Sequence, residues 1–323
     1  MTRFHDPSRR PQHRRQQDFH LRNSYPRPVS IAKAANESEK RFFAGTAIDP
    51  SPRLRLEDGS QELTMRAMDL ICPIGMGQRG LIVAPPGSGK TTFLKHICQA
   101  VAKSSPEMKL YCLLVDERPE EITDFKRSVP AEVRSSSSDE SYDHHINTAD
   151  TLMRQVFAEA AEGKNVLVVI DSLTRLSRVH NAEKRSSGRT LSGGMDARAL
   201  EIPRRIFGAA RKIENGGSLT ILATILVQTG SQMDDVIFEE FKGTGNMEIF
   251  LSREISSCRI YPAINIAKSG TRKEELLLEP QELAGVKKVR RLLAGLGTVE
   301  AAKTLIEQLE KYPTNQDLLL ALR

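Results

Sequence analysis

The sequence predicts a doubly wound α/β fold with a mainly parallel sheet flanked by helices, and three observations carry that prediction. Continuous apolar runs of strand length recur along the chain. Amphipathic runs of helical period lie between them. Several of the apolar runs close on a lysine, an acid or a glycine-rich turn, the residue types that gather at the carboxyl edge of a parallel sheet.

The first thirty residues stand apart from this pattern. They hold seven Arg against two Asp, a net of +5 out of +6 for the 323-residue chain. Their Arg, Gln, His, Pro and Ser show no apolar periodicity, so residues 1–40 are expected to form a disordered basic tail. Such a tail binds RNA loosely through its phosphates, or is a solvated leader with no partner; composition leaves both open. It has no apolar core of a secretory signal, and no run reaches 18 apolar residues, so the sequence suggests no membrane segment and a cytoplasmic address. Compact structure is expected over 41–323, beginning near Phe42.

The stretch "GLIVAPPGSGKTTFLKHI", residues 80–97, reads as strand, tight loop and helix. From Ala84 to Thr91 it follows the phosphate-loop spacing, with alanine where the pattern has its first glycine. Backbone N–H groups around Gly87, Ser88 and Gly89, in the turn that Pro86 leads into, form an anion cradle at a helix start. Lys90 supplies a point charge for the outer phosphates and Thr91 a hydroxyl for Mg²⁺, with Thr92 beside it. Helix follows, with Phe93, Leu94, Ile97 and Val101 on one face.

"KLYCLLVDERPEE" is a buried strand ending in acids. Glu117 is the candidate to polarise an attacking water, ahead of Asp116, while Glu120 and Glu121 read as a solvated helix start. "TADTLMRQVFAEAAEG" sets Ala149, Leu152, Met153, Val156, Phe157 and Ala160 on one helix face, and Gly163 is placed to end it. "VLVVIDSLTR" is another buried strand, with Asp171 at its end as the carboxylate for Mg²⁺; "SLTILATILV" is a further one. The C-terminal forty residues, about 284–323, read as helices, with Ala301, Leu305 and Leu309 on one face and Pro313 beyond the end. Cys72, Cys98, Cys112 and Cys258 lie too far apart for a metal or disulfide framework and are expected as buried, reduced thiols.

Six blocks, taken in order, carry a family resemblance: "DERPEE" (116–121), "DSLTRL" (171–176), "LSGGMDARAL" (191–200), "FGAARKIENGGSLTILAT" (207–224), "EEFKGTGNMEIFLSR" (239–253) and "KSGTRKEELL" (268–277). Together they resemble the ATPase domain of the transcription termination factor Rho family, from about Arg53 to Leu283. The resemblance implies a RecA-like P-loop fold and an ATP- and Mg²⁺-dependent RNA translocase, a homohexamer with ATP held between subunits. It implies that Lys90, Thr91, Asp171 and Glu117 occupy the phosphate, Mg²⁺ and catalytic positions. Arg118 matches an arginine near the phosphates, Arg272 the arginine finger given to the neighbouring subunit's ATP, and Tyr261 an aromatic stacked on adenine. Single-stranded RNA would meet a loop with Gly193, Gly194 and Met195, the last presented at its tip, and a second loop with Lys242 and Gly243. RNA polymerase or termination accessory factors are further partners that it implies.

Members of that family carry an RNA-loading module of the OB type ahead of the ATPase domain. Only a short basic stretch precedes Phe42 here, with Phe4, Phe19 and Tyr25 as scattered aromatics, so the sequence is expected to lack that module. An ATP-binding regulatory paralogue that assembles with or antagonises a full-length relative is therefore the alternative reading. Another RecA-like ATPase, such as a rotary-ATPase subunit or a DNA recombinase, is disfavoured by the "FKGTGN" and "SGTRKEE" blocks.

Overall fold

The computed structural model describes residues 29–184, 194–196 and 198–322. Helix α1 (Val29–Ala44) leads, followed by the short strands β1 (Ala47–Ile48) and β2 (Arg53–Leu54), helices α2 (Leu56–Gly59) and α3 (Leu63–Ile71), and strand β3 (Ile74–Gly75). The alternating part of the chain then runs β4 (Arg79–Ala84), α4 (Lys90–Ser104), β5 (Lys109–Glu117), α5 (Pro119–Ser128), β6 (Glu132–Ser137), α6 (Tyr142–Ala161), β7 (Asn165–Asp171) and α7 (Leu173–Lys184). It continues through α8 (Glu201–Gly208), β8 (Arg211–Ile213), β9 (Ser218–Leu226), α9 (Gln232–Phe241), β10 (Met247–Phe250), α10 (Arg253–Ser257) and β11 (Gly270–Thr271). Three helices close it: α11 (Pro280–Ala294), α12 (Thr298–Lys311) and α13 (Asn315–Ala321).

One sheet organises these elements, in the order β11-β10-β4-β9-β7-β5-β6, with β8 and β1 added along the start of β9. The pairs from β10 across to β6 are all parallel; β11, β8 and β1 join antiparallel. Because strand side chains alternate, each apolar strand splits between two cores. Leu110, Cys112 and Leu114 of β5 enter one core, and Tyr111, Leu113 and Val115 the other. That double burial is why these strands read as unbroken apolar runs.

The face built on α3, α4 and α5 also takes in the C-terminal helices through Val286, Val289, Leu293, Leu305, Leu309 and Leu318. The opposite face packs α6 to α9. On it, Ala149 to Ala160 are buried as the periodicity required, and Gly163, at φ +92°, ends the helix. Helix α6 starts at Tyr142, about two turns before the apolar pattern does, because the Ser141 hydroxyl accepts from the His144 amide and caps it.

Two expectations are corrected. Helix α1 begins at Val29, inside the segment 1–40 expected to be a disordered tail; Phe42 and Phe43 near its end pack on Phe157, and Arg211 lies 4.4 Å above the Phe43 ring. Of the four free cysteines, Cys72, Cys98 and Cys112 are buried, but Cys258 is exposed just past α10. Among the described residues no helix is long and apolar enough to cross a membrane.

Candidate nucleotide site

The parallel register brings three strand ends together. Asp171 closes β7 in register with Leu114 of β5, Ile170 lies beside Ala223 of β9, and Thr224 of β9 beside Ile82 of β4. The phosphate loop that follows β4 therefore faces the ends of β5 and β7 across β9. Gly87 and Gly89 hold φ of +77° and +85°, a left-handed geometry that glycine adopts without strain, and Gly89 is the N-cap of α4. The Ser88 hydroxyl donates to the Pro85 carbonyl at 2.8 Å, which tightens the turn.

Lys90 opens α4 and its Nζ donates to both Asp171 oxygens, at 2.5 Å to Oδ2. The Asp171 carboxylate is further fixed by the Thr224 hydroxyl, 2.8 Å from Oδ1. Glu117 stands beside this pair. A register shift between Val115 and Glu117, with Asp116 at φ +55°, turns the end of β5 and re-aims the glutamate. Its Oε1 is 3.0 Å from Arg175 Nη2, while Arg175 Nη1 donates to the Asp116 carbonyl. Glu117 Oε2 is buried with no hydrogen-bond partner among the described residues. Burial, and then the neighbouring Asp171 charge, push its carboxyl up to about 7 against the pull of Lys90 and Arg175.

Beside the loop a cavity of about 500 Å³ is lined by Pro86, Gly87, Arg253, Arg259 and Tyr261 among others. The Tyr261 ring is so close that a Cβ on Gly89 would sit 3.4 Å from its Cε1. A flat, half-exposed aromatic next to a phosphate cradle suits a nucleobase. The donor set fits a magnesium nucleotide: a glycine-rich cradle, a lysine, two carboxylates and the unsatisfied Glu117 oxygen. Thr91, half-buried in the first turn of α4, lies next to Lys90 in the chain, and Thr92 beyond it is exposed.

The other predicted residues do not join this cluster. Arg118, at the N-cap of α5, is exposed and pairs with Glu121 at 3.1 Å. Arg272 follows β11, whose partners Met247 and Glu248 are level with Gly80 and Leu81 at the start of β4. From Gly80 to Ala84 the strand runs about 13 Å, at about 3.3 Å per residue, before the loop even begins. Arg272 thus lies at the amino edge of the sheet, opposite its own Lys90. There its Nη2 is 3.4 Å from the Gly243 carbonyl, and its amide donates to Asn246 O at 2.8 Å. Lys242 is exposed on the same loop, 3.3 Å from Glu239, and Gly243 holds φ +77°.

Gly193 lies outside the described residues. Gly194 has φ +77° with open space around it, but Met195, expected at a loop tip, is fully buried in the core. Its apolar side chain finds water-free packing there, so among the described residues of this loop the backbone, not the methionine, is what could meet a strand.

Reading the sequence missed Arg175, Thr224 and a row along α7. Every third residue of that helix makes a tie: Arg175 to Glu117, Arg178 to Asp234 at 2.8 Å, and Asn181 to Gly194 O at 3.2 Å and the Asp196 amide at 2.7 Å. Thr224 carried a signal, a hydroxyl inside an otherwise apolar central strand.

The model of the ATP synthase alpha/beta family, nucleotide-binding domain, matches residues 64–271. The transcription termination factor Rho of Aquifex aeolicus is 49% identical over 302 residues, which span 93% of this chain and 68% of that protein. The Escherichia coli K12 Rho is 46% identical over 293 residues, covering 90% and 70%. Against Mycobacterium tuberculosis H37Rv Rho the identity is 49% over 289 residues, and the chain spans only 48% of that longer protein. Among solved structures, a prototypical ATPase from a bacterial type III secretion system superposes with a TM-score of 0.68 at 23% identity, covering 84% of each chain. The assembled ATPase EscN of enteropathogenic E. coli gives 0.67 at 22%, over 87% of this chain and 74% of that one; both share the fold. With its phosphate loop, paired carboxylates and close relatives in agreement, the chain belongs to the transcription termination factor Rho family and carries that family's ATP-hydrolysing, nucleotide-binding domain.

Proposed function

We propose that this protein is an RNA-stimulated ATPase that moves along single-stranded RNA as a ring of identical subunits, in transcription termination or a related RNA-motor role. The observation that carries the reading is the split of the machinery between the two edges of one sheet. Lys90, Asp171 and Glu117 gather at the carboxyl edge, while Arg272 stands at the amino edge beside Lys242 and Gly243. An arginine that cannot reach its own phosphate loop is available to a neighbour's.

ATP would lie with its phosphates over Gly87 to Lys90 and its base against Tyr261. Thr91 and Asp171 are the residues to hold Mg²⁺, which supplies charge neutralisation on the phosphate oxygens. Glu117 accepts the proton of a water as that water's oxygen attacks the γ-phosphorus. The bond from the γ-phosphorus to the β-bridging oxygen breaks, leaving ADP and phosphate. Lys90 and the neighbour's Arg272 offset the negative charge on the phosphoryl group in transfer; a trans arginine of this kind is worth about 10³–10⁵ in rate. RNA phosphates would meet Lys242 and the backbone at Gly243 and Gly194.

The test is ATP hydrolysis by the purified chain with pyrimidine-rich single-stranded RNA and with DNA of matched sequence. Stimulation by RNA well above that by DNA supports the proposal. A rate indifferent to both sinks it in favour of an ATP-binding protein whose partner is another protein.

A further inference from the structure

On the face of the sheet that packs α6 to α9, a partly enclosed cavity of about 170 Å³ lies where α1, α6, α7 and α8 meet. None of its lining residues belongs to the nucleotide site. Its apolar wall comes from Ile146, Met153 and Phe157 of α6 and from Ile202 and Ile206 of α8. Met153, Phe157 and Ile206 are buried. The Phe157 ring is held in place by Phe42, 5.7 Å away, and Phe43, 5.4 Å away, so this wall is formed before anything binds.

The rim carries charge of both signs, and only part of it is matched. Asp150 and Arg154, a turn apart on α6, bond each other at 2.8 Å. Glu39 of α1 and Arg205 of α8 line the same cavity, and neither side chain has an ion-pair or hydrogen-bond partner among the described residues. Arg205 is exposed and Glu39 half-buried, so a ligand entering the cavity can reach both. A lone unpaired charge on a surface is ordinary. Here two of opposite sign share the mouth of one apolar cavity without pairing with each other. An acid as ligand would leave Glu39 unmatched, and an amine would leave Arg205 unmatched.

We propose that this cavity binds a free amino acid with a branched aliphatic side chain, such as leucine. Its α-carboxylate accepts from the Arg205 guanidinium and its α-ammonium donates to the Glu39 carboxylate. Its side chain lies on Ile146, Met153, Phe157, Ile202 and Ile206, the arrangement of a small-molecule site with an apolar wall and a few polar anchors. Volume narrows the class. A cavity of about 150 Å³ lined by Leu, Ile and Phe takes a benzene-sized molecule. One of about 170 Å³ therefore admits a leucine side chain and leaves a nucleotide outside. His180 brings α7 to the cavity, and α7 also holds Glu117 through Arg175 and the Gly194 loop through Asn181. The amino acid thus sits against the helix that ties the nucleotide site to that loop.

The experiment is calorimetric titration of the full chain, without nucleotide or RNA, with L-leucine. Three controls each lack one feature: 3-methylbutylamine the carboxylate, 4-methylpentanoate the ammonium, and glycine the apolar side chain. Saturable binding of one leucine per chain is expected, with a higher Tm at saturation, and each control should bind at least tenfold more weakly. Glu39→Gln and Arg205→Gln lie outside the packed core, so their fold is not at risk, and each should weaken leucine at least tenfold. Ile202→Trp fills the cavity with both charges left in place and should abolish binding. No saturable heat with leucine, a control that binds as tightly as leucine, or unchanged affinity in either charge variant overturns the proposal.

Discussion

Arg175 grips the end of β5 at two points, with Nη2 3.0 Å from Glu117 Oε1 and Nη1 on the carbonyl of Asp116. One guanidinium therefore sets both the direction and the charge of the candidate base. Replacing it with alanine removes the anchor and a positive neighbour together. Hydrolysis by Arg175→Ala should fall at least tenfold in kcat, and the acid limb of its pH–rate profile should move to higher pH. Arg175→Lys should restore part of the charge effect and less of the rate, because a lysine cannot span two acceptors.

The Glu117 carboxyl, held at about 7 by burial and by Asp171, must be ionised to take a proton from water. The rate should rise with pH through about 7 and level off above it. Stability moves the other way. The folded carboxyl is raised above its unfolded value of 4.5, so the folded state binds more protons between 4.5 and about 7, and stability falls as pH rises through that window. Glu117→Gln should lose hydrolysis yet melt no lower than the parent at pH 8, and higher if the buried charge dominates. A variant that hydrolyses at the parental rate removes Glu117 from the mechanism.

Arg272→Ala should bind ATP with near-parental affinity and lose turnover, whereas Lys90→Ala should lose turnover through its own loop. Mixing the two inactive proteins is the decisive measurement. Ring sites that pair an intact loop with an intact neighbouring arginine should recover a fraction of the rate. No recovery in mixtures that demonstrably co-assemble would place Arg272 outside the reaction.

Asn181 holds the loop around Gly194 at two backbone points, from the same helix that carries Arg175. In Asn181→Ala the hydrolysis measured without RNA should change less than threefold, while stimulation by RNA should drop by most of its amplitude. Titrating RNA against the rate separates this outcome from simple loss of RNA affinity, which would shift the midpoint and keep the plateau.

Much of the fold was legible because its strands are buried on both faces. The runs ending at Ala84, Glu117, Asp171 and Leu226 announced themselves by unbroken apolarity, and Lys90 by its spacing after the glycines. Met195 was misplaced since a methionine between glycines and an aspartate reads as a loop tip, and only the packing of α7 and α8 around it makes it core. Helix α1 went unseen because its middle, Asn36 to Arg41, is polar and charged, and its large apolar residues stand only at the two ends, Val29 and Ile31 and then Phe42 and Phe43. Arg175 and Thr224 were hidden for a different reason. Their meaning depends on which strands lie side by side, and β4, β9, β7 and β5 are not neighbours in the chain.

In the proposed ring, where all copies face the same way, the placing of Lys90 and Arg272 at opposite edges of one sheet calls for head-to-tail contacts. In an open row each subunit completes the site of the next, and the subunit at the end is left with a loop that no arginine reaches. Closing such a row makes every copy productive. Hydrolysis should therefore rise more steeply than linearly as the chain is concentrated, and a loop-intact, arginine-less copy added to the mixture should silence activity in proportion to its share, one site for each copy.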